Sequence, residues 1–262
     1  MNILLISHTH GWGGVERQVL MLARELSQMG HTVTVAAPVQ SWLSQRCHES
    51  AIAVFAVSLR GLWDIKSYAQ LVRAVSELEI DIVHGHARRS ALYGAVVGRI
   101  CRKPSICTVH SLNTWKQFGL NNHIIVVSAA VRDFLVSRGV ATKNITVVYN
   151  GVPEVKFDKA TCRSEQRQKL GIGSDVQLIG MSGRPVDYKG HDILLDAFSL
   201  LIQRLPNVQL CFIGSDDGVW YQTLKKNAAE RNLQNKVHFL GYQADVQKVL
   251  TILDIFVLPF SL

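Results

Sequence analysis

The sequence contains no apolar run of the roughly 18 residues that a membrane-crossing helix needs. Its start, residues 1–7, lacks a basic leader and holds only a short apolar stretch, so it reads as a first strand and not as a signal peptide. A cytoplasmic protein is expected. Cysteine is sparse and scattered: Cys47, Cys101, Cys107, Cys162 and Cys211 include no Cys-x-x-Cys pair. An odd, dispersed set argues against a disulfide framework and against a zinc site, and predicts buried, reduced thiols. Zinc-finger spacing and aromatic-rich RNA-binding stretches are missing, so no nucleic-acid partner is expected. The Gly-x-x-x-x-Gly-Lys-Ser/Thr phosphate loop and the Gly-x-Ser-x-Gly nucleophile elbow are also missing, which excludes those two catalytic designs.

What is present is a soluble globular composition, 48% hydrophobic and 18% charged over 262 residues. That length suits two modest domains or one large one. The net charge of +8 is uneven. Residues 1–150 carry 15 Lys/Arg against 8 Asp/Glu, whereas residues 151–262 carry 13 against 12. Arg88, Arg89, Arg99, Arg102 and Lys103 form a basic cluster in the first part. Such a face can meet phosphates or an anionic membrane, or be an ordinary solvated surface.

Strand-like and helix-like segments alternate throughout. Residues 2–7, 32–37, 52–57, 82–84, 105–110, 124–128 and 145–149 read as strands. Residues 16–30, 65–78 and 90–100 read as helices, the first ended by Gly30. A break follows Asn150-Gly151-Val152-Pro153. Residues 154–170 are polar, without a strand signal, and read as a linker. A second series then has strands at 176–182, 208–214, 237–240 and 255–259, with helices at 191–205, 221–232 and 246–253. The expectation is an α/β chain with two Rossmann-like parallel-sheet domains, residues 1–153 and 171–262. The last strand lacks a following helix, so the second domain reads as incomplete. Ligands of such sheets collect at the C-terminal ends of the strands.

Three loops at strand ends carry candidate chemistry. The first, Ser7-His8-Thr9-His10-Gly11-Trp12-Gly13-Gly14, opens onto a helix, where glycines allow close backbone approach to a ligand. Its third fingerprint position is Glu16, and the next strand ends Val35-Ala36-Ala37-Pro38 with no acid for a ribose, which disfavours NAD. A plain tight turn is the alternative. The second, Gly183-Arg184-Pro185-Val186-Asp187-Tyr188-Lys189-Gly190, offers the planar fork of Arg184 and the mobile charge of Lys189 to a diphosphate; two solvated cations are the alternative. The third is His110, placed to bond a polar ligand or to serve only the core. His84 and His86 also lie at a strand end. His84 and His86 show no partner spacing for a metal, and the pairing of His8 with His10 could suggest one, but two ligands without a carboxylate are weak evidence.

In order along the chain, these segments resemble glycosyltransferase family 4. Gly13-Gly14-Val15-Glu16 and Gly30-His31-Thr32-Val33-Thr34-Val35 are similar to its opening, and Asp81-Ile82-Val83-His84-Gly85-His86 and Thr108-Val109-His110 to its middle strands. Val127-Ser128 and Tyr149-Asn150-Gly151-Val152 resemble its inter-domain segment. Gly183-Arg184 with Lys189-Gly190-His191 is the most specific match, followed by Phe212-Ile213-Gly214, Phe239-Leu240-Gly241-Tyr242 and Asp254-Ile255-Phe256-Val257-Leu258-Pro259.

The resemblance implies a GT-B-like pair of domains, an acceptor-side first domain and a nucleotide-sugar-binding second one. It implies transfer of a sugar from a nucleoside-diphosphate sugar to a glycan or lipid-linked acceptor, with retention of anomeric configuration and no metal or other cofactor. Cell-surface polysaccharide or lipopolysaccharide synthesis, with peripheral contact at the inner face of the membrane, is the setting it suggests. It makes Arg184 and Lys189 the diphosphate ligands, His110 the histidine near the donor sugar, Gly13 and Gly14 the glycine loop, and Gly214, Leu240, Gly241 and Tyr242 part of the donor site. The family continues beyond Pro259 into a segment with two glutamates, whereas here Phe260-Ser261-Leu262 follow. A C-terminally truncated chain is therefore expected. An inactive or nucleotide-binding-only fragment and a sugar-nucleotide epimerase on the same fold are the competing readings.

Overall fold

A computed structural model describes residues 1–112, 116–152, 154, 156–216 and 218–259, without the side chain of Asp187. Pro153 and Val155, at the expected inter-domain break, and the final three residues lie outside the described set. The chain divides into two compact units, Met1–Val152 and Pro153–Leu262.

The first unit is a seven-stranded parallel sheet: β1 (Asn2–Ile6), β2 (Thr32–Ala37), β3 (Ala53–Ala56), β4 (Ile82–His86), β5 (Ser105–Val109), β6 (His123–Val126) and β7 (Ile145–Val147), in the order β3-β2-β1-β4-β5-β6-β7. Successive side chains of a strand alternate between faces. Ile3 and Leu5 therefore pack with Val19, Leu20 and Ala23 of helix α1 (Gly14–Gln28), beside α2 (Trp42–Glu49). Leu4 and Ile6 pack on the other face with Leu71 and Val75 of α3 (Ile65–Glu77) and Tyr93 and Val97 of α4 (Ala87–Cys101). Helix α5 (Ala129–Ser137) covers β6 through Val131 and Leu135. The sequence reading left α2 and α5 unassigned. Each is short and starts at a serine whose hydroxyl accepts a backbone N–H: Ser41 from Ser44 and Ser128 from Val131.

The second unit is a four-stranded parallel sheet: β8 (Gln177–Ser182), β9 (Val208–Ile213), β10 (Val237–Phe239) and β11 (Ile255–Phe256), ordered β10-β9-β8-β11. Leu194, Leu195 and Phe198 of α7 (His191–Leu201) and Leu224 and Ala228 of α8 (Val219–Glu230) cover one face. Val249 of α9 (Val246–Leu250) packs with Leu178, Cys211 and Ile252 on the other.

One expectation needs correction. Residues 159–169, read as linker, form helix α6 (Lys159–Lys169), capped by Asp158. Its core-facing positions are Cys162 and Arg167. Hydrophobic periodicity does not register a helix whose inner face is held by arginine.

In both sheets the earliest strand in the chain has later strands on both of its sides. In the first unit β1 lies between β2 and β4; in the second, β8 lies between β9 and β11. In the first unit the loops leaving β1 and β4 run to helices on opposite faces, which opens a crevice at the C-terminal ends of the strands; in the second the corresponding place is beside β8 and β11.

Candidate functional site

The first unit's crevice is bounded by the loop after β1. Gly13 is fully extended and precedes α1, and the buried Glu16 stands in that helix's first turn. A carboxylate there already meets the positive end of the helix dipole. This end of α1 is thus less suited to phosphate than glycine content alone suggests. The loop is tied down on both sides. The His8 Nδ1 and Ser90 Oγ are hydrogen-bonded at 3.0 Å, and the Trp42 N–H donates to the His10 carbonyl at 3.0 Å. Burial, and then the charge of Arg89, lower the His8 pKa to about 4.

Across the crevice, β4 and β5 present three histidines on one face. The register pairs His84 with Ile106 and His86 with Thr108, so His110, just past the end of β5, falls on the same face. The His84 and His86 rings stack with centroids 4.3 Å apart, and the His86 and His110 rings at 5.6 Å. His84 Nε2 bonds the Thr108 hydroxyl at 2.8 Å, and His86 Nδ1 lies 3.4 Å from His110 Nε2. His86 Nε2 is buried without a partner. Burial lowers the pKa of His84 and of His110 to about 4, and that of His86 well below its ordinary value. All three are therefore neutral near pH 7. They line one end of a cavity of about 420 Å³ whose remaining wall includes Met21, Leu22 and Ile106. Among the described residues no group of three or more His, Cys, Asp or Glu is arranged to hold a metal ion.

The second unit's crevice is built around the loop after β8. Gly190 has φ +71°, and a Cβ there would stand 1.8 Å from the Pro259 carbonyl oxygen. Only glycine lets this loop and the segment after β11 come so close. Gly214, at the end of β9, is equally constrained, because a Cβ would fall 2.0 Å from the Gly183 carbonyl oxygen. Its N–H donates to the Gly241 carbonyl at 3.0 Å, the Leu240 N–H donates to Phe212, and the Gly183 N–H donates to Ile213. Gly183, Gly214, Leu240 and Gly241 thus form one hydrogen-bonded rim. Tyr242 is 44% exposed beside it. Arg184 is exposed on this rim, and Lys189 is half-buried in the single 3₁₀ turn Asp187–Lys189.

The rim carries one residue to which the sequence reading gave no role. His191, at the start of α7, is buried, and its ring lies against that of Phe212 with centroids 5.6 Å apart. Its Nδ1 is buried without a partner. Burial lowers its pKa. The Gly183 backbone beside it opposes that lowering. In the first unit, the contact of His86 with His110 was likewise missed. The His-x-His spacing of His84 and His86 on a strand was the signal that puts both on one face.

Comparison with known proteins agrees with this architecture. The sequence profile of Glycosyltransferase Family 4 matches residues 12–155, and that of Glycosyl transferases group 1 matches residues 163–262. An Escherichia coli UDP-Gal:alpha-D-GlcNAc-diphosphoundecaprenol alpha-1,3-galactosyltransferase is 22% identical over 274 residues, spanning 94% of this chain and 70% of that protein. A Corynebacterium glutamicum GDP-mannose-dependent monoacylated phosphatidylinositol monomannoside mannosyltransferase is 35% identical over 115 residues, 42% of this chain and 29% of its own length. Among solved structures, Anabaena HepE in complex with UDP-glucose superposes with a TM-score of 0.81 at 22% identity, covering 99% of this chain and 74% of HepE. A Rickettsia africae glycosyltransferase gives 0.83 at 23% identity, with 99% and 73% covered. With two parallel sheets whose crevices carry the family's motifs in order, the chain belongs to glycosyltransferase family 4.

Proposed function

We propose that this chain binds a nucleoside-diphosphate sugar and transfers the sugar, with retention of anomeric configuration, to a hydroxyl of a glycan or lipid-linked acceptor. The observation that carries this reading is the Gly183–Gly190 loop. It departs from the strand at the second sheet's switch point and offers Arg184 and Lys189. During transfer the bond between the anomeric carbon and the diphosphate oxygen breaks, the acceptor oxygen bonds that carbon, and the acceptor's proton passes to the departing diphosphate. The diphosphate gains negative charge, which Arg184 and Lys189 stabilise. Gly214, Leu240, Gly241 and Tyr242 border the nucleotide. In the first unit His110 orients the sugar as a neutral hydrogen-bonding group, and Gly13 and Gly14 keep the loop free of side chains where donor and acceptor approach. No metal is required.

The E. coli relative acts on a diphosphoundecaprenol-linked acceptor and the HepE structure holds UDP-glucose. By that analogy a uridine nucleotide and a lipid-linked acceptor are the first to try, in cell-surface polysaccharide or lipopolysaccharide synthesis at the inner face of the membrane. The basic surplus of residues 1–150 suits that place.

The test is a thermal-shift titration with UDP, GDP and ADP, with and without magnesium. A ligand that binds only the folded form raises the melting temperature. One nucleotide giving a magnesium-independent rise, lost in the Arg184→Ala, Lys189→Ala double variant, supports the reading. An unchanged rise in the double variant removes the assigned role of both residues. The absence of a rise with every nucleotide overturns donor binding by this chain.

A further inference from the structure

The segment between β3 and α3 is pinned at almost every residue. The Leu59 N–H donates to the Ser67 hydroxyl at 3.0 Å, and the Arg60 N–H to Asp64 Oδ2 at 3.0 Å. Asp64 also accepts from the Ser67 N–H and hydroxyl at 3.1 and 2.7 Å. Arg89 Nη1 donates to the Leu59 and Arg60 carbonyls at 3.2 and 3.3 Å. The Tyr93 hydroxyl donates to the Gly61 carbonyl at 2.5 Å, and the Tyr68 hydroxyl to that of Leu62 at 3.2 Å. Leu59 itself is buried.

This rigid loop nevertheless holds Trp63 92% exposed and Ile65 80% exposed. A tryptophan on a loose tip can fold back onto the surface. One presented by a loop with this many backbone anchors is held out in water, at the cost of leaving a large apolar side chain unburied. The surrounding charge is mostly positive. Arg60, Lys66 and Arg88 are exposed, and the one carboxylate of the loop, the half-exposed Asp64, is occupied by Ser67 and the Arg60 N–H. Hydrogen bonds from Ser67 and from Arg60 hold that carboxyl below its ordinary range. The loop leaves the C-terminal end of β3, the same end of the parallel sheet as the β1 loop and His110. Arg89, which binds it, follows His86 by three residues.

We propose that residues 60–66 are a membrane-interface anchor, with Trp63 and Ile65 entering the headgroup boundary of an anionic leaflet and Arg60, Lys66 and Arg88 meeting lipid phosphates. An indole is suited to that boundary because its apolar body and its N–H are satisfied on opposite sides of it. Cations beside it add attraction to anionic lipid. The inference rests on the lipid-linked acceptor proposed above. It brings the site end of the first unit to the surface from which such an acceptor's headgroup projects.

The experiment uses the full chain, sedimented with vesicles of phosphatidylcholine alone or mixed with phosphatidylglycerol. The wild type is expected to partition onto the mixed vesicles, with weaker binding at high salt. Trp63→Ser and Ile65→Ser should each partition about tenfold more weakly, with unchanged melting temperature, and Trp63→Phe should retain most of the binding. Lipids brominated near the headgroup should quench part of the wild-type tryptophan emission and none of that part in Trp63→Phe. Equal partition of wild type and the Trp63→Ser, Ile65→Ser double variant overturns the anchor. So does loss of soluble-glycan binding in Trp63→Ser with vesicle binding intact, because that result makes Trp63 a sugar-stacking platform. Nucleotide titration is read separately. Vesicle binding that depends on Trp63, in a chain that binds no nucleotide, leaves the anchor standing and removes the transferase reading.

Discussion

His86 and His110 share one hydrogen bond, Nδ1 to Nε2 at 3.4 Å, and only one of the two can donate it. Both rings are neutral near pH 7, since burial lowers the pKa of each. A neutral imidazole carries a single N–H. His86 Nε2 is buried with no partner, and an orphaned N–H is rarer in proteins than an under-satisfied acceptor. His86 therefore keeps its proton on Nδ1 and donates, and His110 accepts at Nε2 and holds its own proton on Nδ1. His110 then faces a ligand as a hydrogen-bond donor.

Nitrogen-15 NMR of the histidine side chains reads this directly. The expected spectrum shows His110 protonated at Nδ1 and bare at Nε2. Replacing His86 by Phe removes the donor and should shift His110 toward the Nε2 tautomer, whereas His86→Asn, which can still donate from nearly the same place, should hold it. A His110 already protonated at Nε2 in the wild type contradicts the assignment. Because the readout is a tautomer and not a rate, it does not depend on knowing the sugar.

Acid should destabilise the first unit as its buried histidines are forced to take up protons. The folded pKa values of His8, His84 and His110 are lowered to about 4, against about 6.5 in the unfolded chain. Between those values the unfolded state binds more protons, so stability is full above about pH 7 and falls as the pH drops toward 4. For His84 alone the shift corresponds to roughly 3 kcal/mol. Denaturant titrations at pH 7.5, 6 and 5 should give steadily falling midpoints. A midpoint that does not move across this range would show that the histidines are not buried in neutral form.

Much of the fold was legible because its signals are apolar and periodic. Strands such as Ile3 to Ile6 and Leu210 to Ile213 are buried on both faces, and runs of that kind are visible without a structure. The glycine-bearing loops were legible as well, because Gly190 and Gly214 sit where a side chain has no room. Helix α6 was not, because its anchors are the guanidiniums of Arg163 and Arg167, which a hydrophobic pattern counts as solvent-facing. The role of His191 was hidden for a similar reason. It lies beside the backbone of Gly183, and a backbone neighbour leaves no trace in the sequence.

Gly214→Ala should disable the second unit's rim more than any side-chain deletion on it. The added methyl would lie 2.0 Å from the Gly183 carbonyl oxygen and 2.8 Å from its carbon, so the loop bearing Arg184 must move. Gly190→Ala adds a left-handed backbone cost to a 1.8 Å clash with Pro259. Nucleotide affinity in either variant is expected to fall at least about tenfold, since a displacement of that size misplaces every group on the loop. Gly119→Ala, with nothing within 4 Å, is the control and should stay within about 0.5 kcal/mol of wild type. Calorimetric titration with the nucleotide identified by thermal shift separates the three. Wild-type affinity in Gly214→Ala would mean that the Gly183 carbonyl is not part of the binding rim.

The pair most expensive to break is Arg167 with Asp254. Arg167 is 5% exposed, and its guanidinium donates to the carbonyls of Gly173, Val176 and Ile252 at 2.9 to 3.0 Å and to Asp254 Oδ2 at 2.7 Å. Asp254 also accepts from the Leu178 N–H at 2.7 Å and from Arg163 at 2.5 Å. Burial alone would raise its pKa, but these donors outweigh burial and hold the carboxyl below its ordinary range. One side chain of α6 thus ties together the start of β8 and the segment entering β11, the two strands that flank the second crevice. Arg167→Ala takes the side-chain donor from three carbonyls and one of three donors from a partly buried carboxylate, which predicts a loss of about 3–5 kcal/mol. Asp254→Asn keeps one acceptor for the guanidinium and should cost less. Urea unfolding followed by a probe in the second unit measures both. If Arg167→Ala costs no more than an exposed pair such as Arg73–Glu77, about 0–1 kcal/mol, then α6 is a passive covering and the crevice is held by β8 and β11 alone.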